Sequence, residues 1–466
     1  MLKEKIKMNK ISSARGHLIQ HTYIYLTLAG LSLGAAVAGF LNGSSAQSAL
    51  PPIQHVVIIY QENHTFDNVL GKFCVQTARC NGATTGKIST GETIPLSPAT
   101  DLVPRVAHDV YSHQLAIDGG LMDKFDLIDF CAKDLNNVYP CYTQYDSAQI
   151  PNLASLAQTY TISDATFEFT RTPSWAGHMV LASATMDNFQ GDNPLTSRSG
   201  WGCDSNQDVL WWDGSNYIQV PSCVPDINGK GPYRASPVAY VPTIFDRLDQ
   251  AAKSWKIYGG TGKFGNKNTG YLWSICPTFY ECLGSAQRQK LVAANSIIKD
   301  AAKGKLPSFS VVTPNWLNSQ HNGVSMATGD NWIGQVVSAV QHDVKDWPST
   351  AIFITYDDCG CFYDHVAPPT STHGIRVPMV IVSPYAKLGY TDSATADFIS
   401  MLSFTEHLFN LPPLNSNDAT AYDFANSFNT TSSFSRAKVL KPTQTKIPAA
   451  EQKIIDNNPG DPNDPT

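Results

Sequence analysis

The sequence predicts an α/β protein with a largely parallel central sheet. Short apolar segments rich in β-branched residues alternate with longer segments of helical periodicity, and no repeat period is visible. Hydrophobic residues make up 42% of the 466 residues, which is enough to bury a large core. This alternation is typical of strand–helix–strand units, so it disfavours a β-sandwich or a helical bundle.

Four segments are expected to be strands and five to be helices, all within one main domain, residues 47–439. The strand candidates are apolar and β-branched; they are His55–Tyr60, Ser308–Val312, Thr350–Tyr356 and Val377–Ser383. Helical periodicity is found near residues 175–185, 242–253, 285–303, 330–346 and 397–409.

Two regions differ from this scaffold in composition. Residues 187–240 are rich in Gly, Asn, Ser, Pro and Trp and contain two cysteines, which indicates a long disulfide-tied loop insertion rather than core. Residues 440–466 are rich in Pro, Asn, Asp and Lys, so we expect a poorly ordered tail.

The N-terminal segment, residues 1–46, has the pattern of an export signal. A basic stretch precedes an apolar run from Tyr23 to Leu41, and small residues follow at positions 43–46. We expect cleavage after Ala46 and a mature protein that is secreted, periplasmic or at the cell surface. Because the run is nearly as long as the roughly 20 residues that span a bilayer, an uncleaved anchor is the alternative.

The charge balance argues against one large class of function. The chain carries a formal charge of −6; residues 1–46 hold five basic residues against Glu4, a local +4, so residues 47–466 carry −10. Proteins whose main activity is nucleic-acid binding usually present a basic surface. We therefore expect no nucleic-acid partner, and bound divalent cations suit this acidic chain better.

All ten cysteines follow the predicted signal, and an even number in an exported chain indicates disulfides. Three local pairs are expected: Cys74 with Cys80, Cys203 with Cys223, and Cys276 with Cys282. The remaining four are Cys131, Cys141, Cys359 and Cys361. A bridge between Cys359 and Cys361 would close a very small ring, so pairing of either one with Cys131 or Cys141 is also open. The sequence has none of the C-x-x-C pairs of a zinc ribbon.

Oxygen-bearing side chains follow two of the predicted strands. Glu62 and Asn63 come directly after the first strand, and Asp357 and Asp358 come directly after Thr350–Tyr356. Ligands in open α/β sheets bind beyond the carboxyl ends of strands. Adjacent carboxylates repel each other unless a cation or a proton neutralises them, so a metal site is predicted. Taken singly, the same residues fit a helix cap and solvated turn acids.

Ser174 is the candidate nucleophile. It follows Pro173 and precedes the apolar run from Met179 to Leu181, which puts it at or just before a helix N-terminus. Backbone N–H groups and the helix dipole favour an anion at that point, so the position suits attack on phosphate. The alternative is that Ser174 or Thr172 only caps the helix.

Four motifs carry a family resemblance. The segments His55–Gly71, His108–Phe125, Ile354–Pro369 and Gly374–Pro384 occur in that order. Together they resemble the bacterial phosphoesterase family, which includes exported phospholipases C and acid phosphatases. The similarity covers roughly residues 52–410 of the chain.

The resemblance implies an alkaline-phosphatase-like, three-layer α/β/α fold with one catalytic divalent metal ion. Carried over by position, the metal ligands would be Glu62, Asn63, Asp357 and Asp358. Ser174 would be the nucleophile, and His108 and His321 would hold phosphate oxygens or protonate the leaving group. The all-oxygen ligand set suggests Ca²⁺, Mg²⁺ or Mn²⁺, with Zn²⁺ also open.

The chain departs from the family pattern at three places. Cys359-Gly360-Cys361 replaces the usual Gly-Gly, and Asp358 stands where many phospholipase-type members have Glu. Around Ser174, Trp-Ala-Gly-His replaces Pro-Asn-Arg. These changes make Thr172 an alternative nucleophile.

Two substrate classes fit the resemblance: a phospholipid-type phosphodiester and a phosphomonoester. The paired aspartates and the short chain favour a phosphatase, whereas the Trp-rich insertion favours a lipid headgroup and transient membrane-surface contact. Trp201, Trp211 and Trp212 are considered either as a cation–π cage for a quaternary ammonium or as packing within the insertion. A different class of function is an exported surface-binding protein on a catalytically degenerate scaffold.

Two further histidines are considered for the site. His365 either contacts it or has a structural role, and His178 either supports Ser174 from the next helical turn or packs in the core.

Overall fold

The central element of the fold is a mixed sheet with strong parallel character. The computed structural model describes residues 50–194, 201–260, 271, 273–430 and 439–457. The predicted signal, residues 1–46, lies outside the described residues. No helix within the described ranges is both long and apolar enough to cross a membrane.

Eight strands of the described chain form this sheet. In chain order they are β1 (His55–Gln61), β2 (Thr161–Ser163), β3 (Trp255–Tyr258), β4 (Leu291–Val292), β5 (Phe309–Val312), β6 (Thr350–Tyr356), β7 (Met379–Val382) and β8 (Thr391–Asp392). Their order across the sheet is β4-β3-β5-β1-β6-β7-β2-β8. The predicted strands are therefore confirmed, and three of them (β1, β5 and β6) are adjacent at the centre.

Only β7 runs against its neighbours in this sheet. It pairs antiparallel with β6 and β2, while the other five pairings are parallel. An antiparallel neighbour needs no crossover helix, and the segment between β6 and β7 contains none. The predicted largely parallel α/β sheet is thus confirmed.

Helices cover both faces of the sheet. The α-helices are α1 (Lys72–Thr77), α2 (Val110–Ile117), α3 (Pro151–Thr159), α4 (Ser174–Ser183), α5 (Ile244–Gln250), α6 (Tyr280–Gly284), α7 (Ser296–Ala301), α8 (Met326–Gln341), α9 (Phe398–Phe409), α10 (Ser416–Thr420) and α11 (Ala449–Asn457). A π-helical turn spans Asp67–Gly71, and 3₁₀ turns span Asp118–Gly120, Phe125–Leu127, Cys276–Thr278, Ala286–Lys290, Trp316–Asn318, Trp347–Ser349 and Ala425–Ser427.

Side chains of β6 show the two faces. Phe353 packs edge-on against Phe404 of α9, whereas the Tyr356 hydroxyl on the opposite face donates to Gln320 Oε1 at 2.7 Å. Gln320 in turn bonds to the first residue of α8, because its amide donates to the Met326 carbonyl at 3.1 Å. Successive strand residues point to opposite faces. The predicted three-layer α/β/α arrangement is therefore confirmed.

The helical prediction for residues 285–303 is wrong in its continuity. A 3₁₀ turn at Ala286–Lys290, the edge strand β4 and then α7 occupy that stretch. Val292 carbonyl oxygen accepts from the N–H groups of both Gly259 and Gly260, so pairing with the end of β3 interrupts the helix. Tertiary pairing overrides the local helical pattern here.

The insertion contains more regular structure than a loop. An antiparallel hairpin pairs Asp208–Trp212 with Tyr217–Pro221, and the Cys203–Cys223 disulfide ties its base. The buried residues Trp201, Val209 and Val220 join the main core. Three further two-strand pairs are Thr85–Lys87 with Thr93–Pro95, Ser97–Pro98 with Thr143–Gln144, and Thr166–Phe167 with Ala396–Asp397.

Residues 440–457 contradict the expected poorly ordered tail; residues 458–466 lie outside the described part. Thr443 pairs its backbone with Asn152, whose Oδ1 accepts at 2.8 Å and whose Nδ2 donates at 2.9 Å. Leu440 and Ile455, the latter in α11, are buried. An extended segment with two apolar anchors and paired backbone groups orders despite its polar composition.

The disulfide predictions are confirmed for the three local pairs, which join Cys74 to Cys80, Cys203 to Cys223 and Cys276 to Cys282. Neither alternative left open for the other four cysteines is found, because Cys131 pairs with Cys141. Cys359 and Cys361 are then left as buried thiols outside any disulfide.

Candidate active site

The candidate site lies where β1 and β6 end. These strands are parallel neighbours, and the register pairs Gln61 with Tyr356. The residues that follow, Glu62-Asn63 and Asp357-Asp358, therefore leave the sheet side by side at its carboxyl edge. The Asn63 N–H donates to Asp357 Oδ1 at 3.0 Å, which locks the two turns together.

Both turns need unusual backbone conformations. Asn63 has a φ of +63° and Gly360 a φ of +49°. A Cβ at residue 360 would lie 2.2 Å from the Asn63 carbonyl oxygen, so only glycine fits there. The Gly360 N–H donates to Asp358 Oδ1 at 2.7 Å, which orients that carboxylate.

Ser174 is the first residue of α4 and points into the same place. Its Oγ lies 3.1 Å from Glu62 Oε2, 3.3 Å from Asp358 Oδ2 and 3.4 Å from Asn63 Oδ1. Pro173 occupies the cap position, and no side chain caps this helix. The interpretation of Ser174 or Thr172 as a simple cap is therefore wrong. Thr172 instead packs its methyl group toward Gly191.

We call the side chains of Glu62, Asn63, Ser174, His178, Asp357 and Asp358 the oxygen cluster. His178 joins it from the next turn of α4, with Nε2 3.1 Å from Glu62 Oε1 and 3.6 Å from Asp357 Oδ2. Sequence reasoning gave this histidine equal weight as a packing residue; its one-turn spacing from Ser174 was the available signal. Gly177 lets α4 approach, because a Cβ there would lie 2.6 Å from the Asp357 carbonyl oxygen.

The oxygen cluster is desolvated and rich in negative charge. Glu62, Asp357 and Asp358 have no exposed surface. Burial, together with the charge of Asp357, raises the pKa values of Glu62 and Asp358 well above their ordinary range. Burial also acts to raise the pKa of Asp357, but interactions with the His178 and Glu62 side chains outweigh it and hold this pKa at about 2. Without a cation, these shifts favour the protonated forms of Glu62 and Asp358.

His108 and His321 lie on the other side of Asn63. Nδ1 of each faces a backbone carbonyl, Val106 for His108 at 3.0 Å and Asn322 for His321 at 3.1 Å. This arrangement directs each Nε2 toward Asn63. The structure thus brings all seven predicted site residues together.

The Asn63 amide joins the carboxylates to these imidazoles. With Oδ1 toward the carboxylates, Nδ2 lies 3.0 Å from His108 Nε2, but Oδ1 meets only acceptors. With the O and N positions of the Asn63 amide exchanged, Nδ2 donates to Glu62 and Asp357. Oδ1 then accepts from Nε2 of His108 and His321 at 3.0 and 3.1 Å. A cation among the carboxylates would favour the first orientation by taking Oδ1 as a ligand.

The donor set fits one divalent cation. Asp357 Oδ2 is buried and has no hydrogen-bond partner among the described residues. Glu62, His178 and Asp357 each offer one ligand atom, and these atoms lie within 4.8 Å of one another. Carboxylate and amide oxygens suit Ca²⁺, Mg²⁺ or Mn²⁺, and the imidazole of His178 also suits Mn²⁺ or Zn²⁺.

Two tryptophans that sequence reasoning missed form an aromatic wall beside His321. Trp316 and Trp273 have ring centroids 4.7 and 5.8 Å from the imidazole, and the indole Nε1 of each is buried without a hydrogen-bond partner among the described residues. Only the fold brings residues 273, 316 and 321 together, because no local spacing pattern links the first to the others.

The three tryptophans considered for a cation–π cage do not share an open face. Trp201 is only 1% exposed and packs in the core, and Trp211 donates its Nε1–H to the Asp187 carbonyl at 2.7 Å. Trp212 packs edge-on against Tyr217. The structure therefore supports the packing interpretation.

A second acidic cluster, here called the arginine clamp, comprises Asp67, Asp364, His365 and Arg376. Arg376 is fully buried and contacts Asp67 Oδ1 at 3.3 Å and Asp364 Oδ2 at 3.1 Å. His365 Nδ1 lies 2.5 Å from Asp67 Oδ2. These contacts join the first motif to the late motif, so the structural role considered for His365 is the one supported.

Comparison with known proteins identifies the family. A family model described as the Phosphoesterase family matches residues 53–412. Phospholipase C A of Mycobacterium tuberculosis is 24% identical, over 87% of this chain and 83% of that protein. Non-hemolytic phospholipase C of Pseudomonas aeruginosa is 23% identical, over 92% of this chain and 68% of that protein.

Solved structures give a weaker likeness. An alkaline phosphatase superfamily protein from Vibrio parahaemolyticus aligns at 14% identity and a TM-score of 0.36, over 78% of this chain and 67% of that chain. This TM-score is too low to support the family assignment.

Proposed function

The chain belongs to the Phosphoesterase family, whose model matches residues 53–412, and we propose that it hydrolyses phosphate esters with Ser174 as nucleophile and one divalent cation in the oxygen cluster. One observation carries the proposal. The Ser174 hydroxyl stands at the N-terminus of α4 and within 3.4 Å of oxygens from Glu62, Asn63 and Asp358. A nucleophile, an anion-binding helix terminus and a cation site thus coincide.

The first chemical step needs a base for the serine proton. Glu62 Oε2 and Asp358 Oδ2 are the acceptors nearest to Ser174 Oγ. As Oγ attacks, a bond forms to phosphorus and the ester P–O bond breaks. When bound, the cation supplies Lewis-acid stabilisation of charge on the phosphoryl oxygens and the serine oxygen.

The leaving group and the second step involve the two imidazoles. His108 or His321, in the form that carries a proton on both ring nitrogens, donates its Nε2 proton to the departing alcohol oxygen. Water then attacks the phosphoserine, the Oγ–P bond breaks, and Ser174 regains a proton. His178 orients Glu62 through its 3.1 Å contact. The cluster is buried, and the low local dielectric strengthens each of these charge interactions.

Within the phosphate esters, we propose a phospholipid-type diester as the substrate. The curated relatives above carry the name phospholipase C. Trp273 and Trp316 add support, because their aromatic rings form an apolar surface beside His321. Such a surface suits contact with an organic leaving group or headgroup. Contact with membranes would then be transient and at the surface.

We also propose that the protein is exported. The predicted signal is one support, and the four disulfides are the other, since such bonds persist in oxidising compartments. The competing idea of a degenerate binding protein is disfavoured because the oxygen cluster keeps every residue that the chemistry needs.

Trapping the phosphoenzyme tests the nucleophile. Ser174→Ala should lose turnover on the order of 10⁴-fold or more, yet retain bound metal, because the carboxylates remain. Thr172→Ala is the matched control and should retain most activity. Acid quenching with labelled substrate should give label on Ser174; label on Thr172, or full activity in Ser174→Ala, would contradict the proposal.

A substrate pair tests the ester class. Release of p-nitrophenol from p-nitrophenyl phosphorylcholine should exceed release from p-nitrophenyl phosphate across pH. The reverse preference would favour the phosphomonoesterase that the paired aspartates suggested.

A further inference from the structure

We propose a second metal site, formed by Cys359, Cys361, His113 and Glu168, that binds Zn²⁺ as a structural ion. His113 Nε2 lies 3.2 Å from Cys359 Sγ and 3.2 Å from Glu168 Oε2. His113, Cys359 and Cys361 each offer one ligand atom, and these three atoms lie within 4.8 Å of one another. All four side chains have no exposed surface.

The orientation of His113 matches that of a metal-binding histidine. Its Nδ1 lies 2.9 Å from the Asp109 carbonyl oxygen, one helical turn earlier in the chain, so Nδ1–H donates there. This hydrogen bond fixes the tautomer with the lone pair on Nε2, which faces the thiol and the carboxylate. Histidines that bind metals typically donate their other ring N–H to a backbone carbonyl or carboxylate in this way.

Glu168 is the candidate for a fourth ligand, beside the group of His113, Cys359 and Cys361. Its two oxygens lie 3.3 and 3.2 Å from His113 Nε2, and Oε2 also accepts from the Ile375 N–H at 3.1 Å. A side chain at Gly374 would collide with this carboxylate, so the loop before β7 holds it in place. Two thiolates, one imidazole and one carboxylate make the four-ligand set of a closed structural zinc site.

The Cys359–Cys361 turn brings both sulfurs to the His113 ring, with Cys359 Sγ 3.2 Å from Nε2 and Cys361 Sγ 3.6 Å from Nδ1. Gly360 and Cys361 have φ values of +49° and +46°, which fold the turn so that the two Sγ atoms lie 2.7 Å apart. Two sulfurs on one tetrahedral zinc at about 2.3 Å would stand about 3.7 Å apart. Zinc binding therefore requires the sulfurs to separate by about 1 Å, through side-chain rotation.

The proposed zinc site differs from the oxygen cluster in ligand chemistry. Thiolate and imidazole ligands select softer ions, whereas carboxylate and amide oxygens suit hard ones. Because Cys359 directly follows Asp358 in the chain, an ion held there would fix the turn that carries both aspartates. Its absence should loosen that turn without removing any oxygen ligand.

Metal analysis of the full exported chain tests the proposal. Wild-type protein and Asp357→Asn should both retain about one equivalent of zinc after dialysis, and Cys361→Ser should lose it. His55→Gln is the matched histidine control and should keep the zinc, because His55 bonds to Pro307 and Asp346, not to sulfur. The readout is independent of the proposed phosphoesterase activity.

Cobalt gives a spectroscopic readout on wild type alone, so the test stands even if Cys361→Ser does not fold. Co²⁺-loaded protein should show a thiolate-to-cobalt charge-transfer band, in Asp357→Asn as well as in wild type. Absence of the band from protein with both thiols reduced would overturn the proposal. A Cys359–Cys361 disulfide in zinc-free exported protein would also overturn it.

Discussion

The oxygen cluster and the arginine clamp are built from the same two motifs but are neutralised differently. Glu62 and Asp357 begin the two turns, and Asp67 and Asp364 follow a few residues later. In the clamp, two buried carboxylates meet the guanidinium of Arg376 and the imidazole of His365. In the oxygen cluster, three buried carboxylates meet one imidazole and neither lysine nor arginine among the described residues.

This difference supports the proposal of a cation in the oxygen cluster rather than in the clamp. The clamp contains its own counter-charges, so an ion has no net charge to neutralise there. Three ionised carboxylates would give the oxygen cluster a charge of −3, most of which one divalent cation would neutralise. A cluster of acidic residues alone does not distinguish these cases; the surrounding positive groups do.

The largest expected effect on stability comes from breaking the clamp. Arg376→Met leaves Asp67 and Asp364 buried without their guanidinium, so the free energy of unfolding should fall by about 3–5 kcal/mol. Urea unfolding measures this change. Arg234→Met is the control, since it removes an exposed arginine that pairs with Asp208, and it should change stability little. If Arg376→Met were as stable as wild type, the clamp would not be a structural ion-pair network.

A smaller effect is expected from the histidines of the two clusters. His178→Gln removes the imidazole that contacts Glu62 and Asp357, so turnover or metal affinity should fall by about 10–100-fold. His365→Gln should change neither quantity much, because His365 contacts Asp67 in the clamp. Metal titration and steady-state assays of both variants make the comparison. Equal losses in the two variants would contradict the separation of the clusters.

The smallest expected effect is a change in how stability depends on pH. In metal-free protein, the raised pKa values of Glu62 and Asp358 mean that the folded state keeps protons that the unfolded chain releases above its ordinary values of 4.5 and 3.8. The metal-free protein should therefore lose stability as pH rises above the ordinary pKa values of 4.5 and 3.8. Asp357, with its pKa at about 2, affects the pH dependence of stability only at lower pH.

Urea unfolding with and without a chelator measures this dependence. Bound cation replaces the protons, so metal-loaded protein should show a shallower decline over the same range. An identical pH dependence with and without chelator would contradict a cation in the oxygen cluster.

Much of the fold follows from the sequence because its strands are continuous apolar runs. His55–Tyr60 and Thr350–Tyr356 are buried on both faces, and such runs are typical of central parallel strands. The direction of β7 could not be derived, since an apolar run reads the same in either direction. The tail was misjudged because its order depends on distant partners, such as Asn152.

The candidate site was predictable where polar residues directly follow strands. Glu62, Asn63, Asp357 and Asp358 come directly after strands that proved adjacent, so sheet geometry alone unites them. For His178, the only indication of a role in the site was its spacing of one helical turn from Ser174. The arginine clamp could not be predicted from the sequence, because Arg376 lies in a different motif from Asp67. The role of Arg376 also depends on its burial.

Metal content of two matched aspartate variants tests the central claim most directly. Asp357 and Asp364 are both fully buried, seven positions apart in the late motif. Elemental analysis after dialysis should show that Asp357→Asn loses one equivalent of bound divalent metal relative to wild type, together with most turnover, while Asp364→Asn keeps that metal. Equal metal content in wild type and Asp357→Asn, or loss of that equivalent in Asp364→Asn instead, would contradict a cation site in the oxygen cluster.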